Sequence, residues 1–209
     1  MPPAPVDAPP GRDPFGTQEL TPVDRFGVWL SQRAISRYLP RRSDIDILEL
    51  GCGFQAKNLL ALKPRVRRAV GIDFQISDAA KRVLGMEFIE GPIEGSMAQL
   101  SASSFDAILF ISVLEHLWDP APALRGCHEW LRPGGVLLVN VPTWLGKGFL
   151  EYSAFSLGTS PKVEIDDHKM YYDKRDLWPL LVKAGFLPSN IRMNYHKFRL
   201  NLFAVARKA

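Results

Sequence analysis

Two cysteines, Cys52 and Cys127, are too few for a disulfide framework and are not spaced like metal ligands. A reducing cytoplasm is therefore the expected compartment. No apolar run reaches the ~18 residues that mark a transmembrane helix. The N-terminus lacks the apolar core of a secretory signal. Its sequence, MPPAPVDAPPGRDPFG, holds six prolines instead, and residues 1–16 are expected to form a disordered tail. Concentrated basic charge is also missing. The net charge is +4, and the densest basic group, Lys63, Arg65, Arg67 and Arg68, is expected on a loop between a helix and a strand. A nucleic-acid surface would gather its charge more tightly. No internal repeat and no second domain are visible.

What the sequence does hold is alternation. Hydrophobic residues at 46% and charged residues at 23% are those of a soluble globular chain, and the length suits one domain over residues 17–209. Thr21 to Leu39 has helical spacing, with Thr21-Pro22 as cap and first turn. Short apolar runs then predict strands at Ile45–Leu50, Ala69–Phe74, Glu87–Glu90, Ala107–Ile111 and Val136–Val141. Helices are expected between them at about Ala56–Leu62, Ser77–Leu84 and Ala121–Leu131. The pattern changes after Thr143, where residues 144–166 form an aromatic-rich insert suited to a substrate lid. A helix at Lys174–Ala184, stopped by Gly185, precedes two strands at Ile191–Tyr195 and Leu200–Ala206. The fold class that follows is α/β: a doubly wound, mostly parallel, seven-stranded Rossmann-like sheet with an antiparallel C-terminal edge hairpin.

The stretch DILELGCGFQAKNLL, Asp46 to Leu60, reads as a buried strand, a glycine turn and a helix. Gly51 and Gly53 sit where open α/β sheets bind ligands, and Asp73 ends the next strand, where a carboxylate can accept hydrogen bonds from a ribose diol. GCGFQA also satisfies the dinucleotide pattern G-x-G-x-x-G/A, so a nicotinamide-dependent oxidoreductase is one reading. Two features oppose it. Glu49 would face a pyrophosphate unfavourably, and an edge hairpin stands where a second mononucleotide-binding half would be.

Two further segments, SFDAILFISVLEHLWDP and LRPGGVLLVNVPT, join ILELGCG and VGIDF in one ordered series. Together they resemble the class I S-adenosylmethionine-dependent methyltransferases, and within them the small-molecule, quinone-biosynthesis-like (type 11) group, over about Leu39 to Val141. The resemblance implies S-adenosyl-L-methionine as cofactor. It implies that the backbone at Gly51, Cys52 and Gly53 passes along the methionine part, and that Glu49 helps hold the amino group. Asp73 is implied at the ribose, Phe74 beside the adenine, and Phe110 and Ile111 on the inner side. Where the family often has an aspartate reading adenine, this chain has Pro92, which leaves the Ile93 backbone as the substitute. Gln55 stands where a third glycine often sits, a position that a phosphate-free ligand constrains less. Cys52 fits as a small inert residue in the turn, without an activating setting.

For proton removal the candidates are His168, in EIDDHKMYYDK, and His116, in the LEH motif. No clustered ligands call for a metal. A small-molecule acceptor, methylated on a hydroxyl oxygen, is the leading expectation. A methyltransferase fold that binds without catalysis is the reading from another class. A nucleic-acid base methyltransferase is disfavoured, because those enzymes usually carry Asp/Asn-Pro-Pro-aromatic where this chain reads ISVLEH.

Overall fold

A computed structural model of the chain describes residues 22–149 and 168–209. The proline-rich tail, the Thr21 cap and all but the first residues of the insert lie outside the described residues. The chain opens with α1 (Pro22–Tyr38) and β1 (Ile45–Leu50), then α2 (Lys57–Leu62), β2 (Val66–Asp73), α3 (Asp78–Lys81), β3 (Met86–Glu90) and α4 (Ile93–Ser96). It continues through β4 (Phe105–Ile111), α5 (Ala121–Trp130) and β5 (Leu131–Pro142), with residues 144–149 helical. It ends with α6 (Lys174–Lys183), β6 (Ile191–His196) and β7 (Asn201–Arg207).

The seven strands form one sheet in the order β3-β2-β1-β4-β5-β7-β6. The first five run parallel, while β7 pairs antiparallel with both β5 and β6. The expected fold class is thus the observed one. All six residues of β1 are buried, as are six of the seven in β4, which is why these strands read as apolar runs without alternation. Successive side chains serve opposite faces. Leu48, Leu50, Ile108 and Phe110 face the core made with α5 and α6, where Leu124, Trp130, Leu177 and Leu181 are buried. Ile45, Ile47, Ala107 and Leu109 face the core made with α1 and α2, where Ile35, Leu59 and Leu62 are buried.

Most differences from the expected elements are small shifts of their ends. One has chemical content. Arg67 and Arg68 lie on β2, not on the preceding loop, because β2 begins at Val66. Arg67 reaches Asp46 and Arg68 reaches Glu87, so strand pairing and ion pairs extend the strand back into the basic run. The chain winds outward from β1 to β3 and then returns to β4 on the other side of β1. That reversal opens a crevice at the carboxyl ends of β1 and β4, the usual ligand position in such sheets.

Candidate functional site

At the end of β1 the chain turns through two left-handed glycines, Gly51 at φ 69° and Gly53 at φ 74°. A Cβ on Gly51 would come within 2.2 Å of Val113 Cγ2, whereas one on Gly53 would meet nothing within 4 Å. One glycine is thus demanded by close packing, and the other borders open space. Ala56 caps α2 in the left-handed region at φ 47°, so the strain of this turn falls on Ala56. Gln55 is exposed.

Asp73 ties the turn to the end of β2. Its carboxylate accepts hydrogen bonds from the Gly53 N–H at 2.7 Å and the Phe74 N–H at 2.8 Å. Burial raises its pKa, and these backbone donors partly offset the rise. An ionised carboxylate offers about four acceptor sites, so two such bonds leave capacity for ribose hydroxyls. Phe74 beside it is half exposed.

Glu49 is the deepest polar group of the crevice, with 1% of its surface exposed. Asn58, in the first turn of α2, donates to Oε1 at 2.7 Å, while Oε2 has no hydrogen-bond partner among the described residues. Burial pushes its pKa up to about 8, opposed by the bond from Asn58 and reinforced by the charge of Asp73. Such a carboxyl is incomplete without a donor, and an ammonium would supply one. With the open space beside Gly53, this makes the crevice fit the methionine end of S-adenosylmethionine. Cys52 is buried against the position a Gly71 Cβ would take. Burial, then Glu49 and Asp73, raise its thiol pKa far above the ordinary value, so it packs and does not react.

Of the pair at the end of β4, Phe110 is fully buried in the core and Ile111 is partly exposed. The Phe110 side chain is enclosed in the core shared with α5 and α6, so what it offers the crevice is its backbone at the end of β4. Ile93 opens α4 after Pro92, with its side chain in the same core.

His116 and His168 lie far apart in sequence and close in space, with ring centroids 4.8 Å apart in an edge-on arrangement. The cause is backbone pairing: the N–H groups of Lys169 and Met170 donate to the Glu115 carbonyl at 2.7 and 3.2 Å. The Tyr171 hydroxyl lies 3.1 Å from His168 Nδ1. Glu115 itself is buried, its Oε2 has no hydrogen-bond partner among the described residues, and burial lifts its pKa to about 8 against the bond from its own backbone N–H and the charge of Lys197. Lys197 opens a turn of three consecutive left-handed residues, Lys197, Phe198 and Arg199. Each such non-glycine residue costs about 1–2 kcal/mol, and the end of β5 holds the turn, with Thr143 Oγ1 donating to the Arg199 carbonyl at 2.7 Å. Sequence reasoning named both histidines but missed Glu115, Asn58 and Tyr171. The signal for Glu115 was an acid in the turn just beyond an apolar strand; for Asn58 it was a polar residue one turn past the glycines.

Comparison with known proteins agrees with this geometry. Residues 48–139 match a family described as "Methyltransferase domain". A Mycolicibacterium smegmatis protein named "Probable S-adenosylmethionine-dependent methyltransferase" is 28% identical over 188 residues, covering 82% of this chain and 64% of that protein. The chain thus spans just under two thirds of that relative's length. A ubiquinone biosynthesis O-methyltransferase of Alkalilimnicola ehrlichii is 31% identical over 114 residues, 50% of this chain and 44% of that protein. In fold, a SAM-dependent methyltransferase from Archaeoglobus fulgidus superposes with a TM-score of 0.63 at 14% identity, covering 88% of this chain and 94% of that one. With the crevice between β1 and β4, the glycine turn and the ordered motifs, these matches lead to one conclusion: residues 48–139 form a methyltransferase domain of the S-adenosylmethionine-dependent kind.

Proposed function

We propose that this chain transfers a methyl group from S-adenosylmethionine to a hydroxyl oxygen of a small molecule, such as a quinone precursor or a sugar. The observation that carries the reading is Glu49, buried and one hydrogen bond short beside an open glycine turn. In this reading Glu49 receives the cofactor's ammonium, the Gly51–Gly53 backbone lies along its methionine part, and Asp73 takes the ribose hydroxyls. Phe74 and Ile111 supply apolar surface, and the Ile93 backbone stands in for an acid at the adenine.

S-adenosylmethionine supplies a methyl group already activated on a sulfonium. The protein's share of the work is to align the acceptor, exclude water and accept or relay a proton. His116 closes the short turn that follows Val113, whose side chain packs on Gly51, and His168 lies against it; imidazoles suit the deprotonation of a hydroxyl. The naming of relatives as ubiquinone biosynthesis O-methyltransferases supports oxygen as the target. Among the described residues no helix is long and apolar enough to cross a membrane.

Thermal unfolding with S-adenosylmethionine, S-adenosylhomocysteine and NAD tests the reading. At about 100 times the dissociation constant, binding stabilises by about 2.7 kcal/mol, a midpoint rise of roughly 5–10 °C for this size. A rise with the S-adenosyl ligands alone is expected. A rise with NAD alone overturns the assignment. Binding without turnover across hydroxylated acceptors would favour a non-catalytic binding module.

A further inference from the structure

Glu115, His116 and His168 each contribute one donor atom to a group in which all donor atoms lie within 4.8 Å of one another. The three come from two segments, the loop after β4 and the stretch before α6, locked together by the two backbone bonds to the Glu115 carbonyl. Glu115 is 1% exposed, and its Oε2 has no hydrogen-bond partner among the described residues. A carboxylate oxygen enclosed beside two imidazoles and lacking a donor is a cation ligand by its chemistry.

We propose that Glu115, His116 and His168 bind one divalent transition-metal ion, which in turn takes the hydroxyl oxygen of the acceptor. The acceptor role rests on the methyl-transfer reading above; the binding of the ion does not. Two imidazoles and one carboxylate suit Zn²⁺, Mn²⁺, Fe²⁺ or Co²⁺ better than the hard ions Mg²⁺ and Ca²⁺. Metal–ligand distances near 2.0–2.2 Å bring donor atoms within roughly 4 Å of each other, so the widest pair here must close by about an ångström, within reach of imidazole rotation. The three ligands found among the described residues leave positions open, as in catalytic and not structural sites. Tyr171, 3.1 Å from His168 Nδ1, orients that ring in the manner of an outer-shell partner.

A hydroxyl held on such an ion gives up its proton to solvent more readily than a free one. The O–CH₃ bond then forms as the S–CH₃ bond breaks, yielding the methyl ether, S-adenosylhomocysteine and the released proton. The histidines act as ligands in this arrangement and solvent takes the proton. The ion thereby selects acceptors with a ligating hydroxyl, above all vicinal ones that can chelate.

Titration of the full chain with Co²⁺, followed by its visible absorption, provides the test. One equivalent is expected to saturate the signal, with the intensity of a low-coordinate nitrogen-and-oxygen site. His168→Ala and His116→Ala should each weaken binding by about tenfold or more, since even outer-shell losses cost that much. Both histidines are only half-buried, so at least one variant is expected to fold, as the melting response to S-adenosylhomocysteine will show. No saturable signal, or equal affinity in a folded histidine variant, overturns the site. Co²⁺ binding without a response to S-adenosylhomocysteine keeps the metal site and removes the methyl-transfer reading. The reverse result keeps the crevice and removes the metal site.

Discussion

The same two strands carry buried acids at both ends, and the two ends treat them oppositely. At the amino ends of β1 and β4, Asp46 accepts from Arg67 and, at 2.7 Å, from Arg132, while Asp106 accepts from Arg42 at 2.8 Å and from the Asp46 N–H at 2.8 Å. At the carboxyl ends, Glu49 has a single side-chain donor and Glu115 keeps an oxygen without a partner among the described residues. Burial raises the pKa of Asp46, but the bonds and charges of Arg67 and Arg132 outweigh it and hold the group below its ordinary value. Burial raises Glu49 to about 8 with no arginine to answer it. Fully matched charges hold the sheet together; half-matched ones wait for a ligand.

The largest effect should come from the matched end. Asp46→Ala removes the carboxylate shared by Arg67 and Arg132, whose own side chains are 65% and 33% exposed. That exposure lets the Arg67 guanidinium reach water, and Arg132 keeps Asp106 at 3.0 Å, which places the loss near the lower limit of the ~3–5 kcal/mol for breaking a buried pair. Urea denaturation should show about 3 kcal/mol less stability. The affinity of the remaining folded protein for S-adenosylhomocysteine should be unchanged; a parallel loss of affinity would erase the distinction between the two ends.

At the unmatched end the signs reverse. Glu49→Gln keeps the bond to Asn58 but cannot offer a negative charge to an ammonium. A charged hydrogen bond is worth about 1.5–3 kcal/mol, so affinity for S-adenosylhomocysteine should fall by roughly 10–150-fold in calorimetry. The apo protein should become more stable near neutral pH, because the unfolded chain no longer gains by ionising this residue. Lower stability together with intact binding would make Glu49 a structural acid like Asp46.

Much of this contrast was legible in the sequence, and the illegible part has a physical reason. The apolar runs of β1, β4 and β5 announce a covered parallel sheet, and Glu49, Gly51, Gly53 and Asp73 stand in register with the motifs that place them. For Phe110, position at a strand's end says where the backbone goes; that its side chain turns into the core with α5 and α6 is settled by packing. Asn58 and Glu115 were missed because their importance lies in partners, and partners come from packing. His116 and His168 are 52 positions apart, and the bonds from the Lys169 and Met170 N–H groups to the Glu115 carbonyl help bring them together. Arg67 and Arg68 looked like loop charges because a basic run hides a strand whose ends are paired by ions.

The pH response should separate the ends further. Glu49 has a folded pKa of about 8, above its unfolded value of 4.5, so its contribution is fully present below the unfolded pKa and is lost as pH rises through the folded one. Stability of the apo protein should decline across that window with a slope of up to about 1.4 kcal/mol per pH unit from this residue. Glu49→Gln should flatten the curve by that amount. Asp46, with its pKa lowered from 3.8, acts in the opposite sense: its contribution is present above the unfolded pKa and lost as the solution is acidified below it. Acid should therefore undo the arginine-matched end, and base the unmatched one. Urea midpoints measured from about pH 2 to about pH 9 on the wild type and the Gln variant check both limbs.

The smallest effect belongs to Phe74, which borders the crevice with 53% of its surface exposed. A side chain that solvent already reaches contributes little to the core, so Phe74→Ala should change stability by no more than about 0.5 kcal/mol. If the ring packs on the adenine it covers a flat aromatic face, and such contacts are worth about 0.5–1.5 kcal/mol. Affinity for S-adenosylhomocysteine should then fall by a few-fold, while affinity for methionine, which lacks the base, should be unaffected. An equal loss for both would place Phe74 at the amino-acid end of the site, next to Glu49, and would require the cofactor to lie the other way along the Gly51–Gly53 turn.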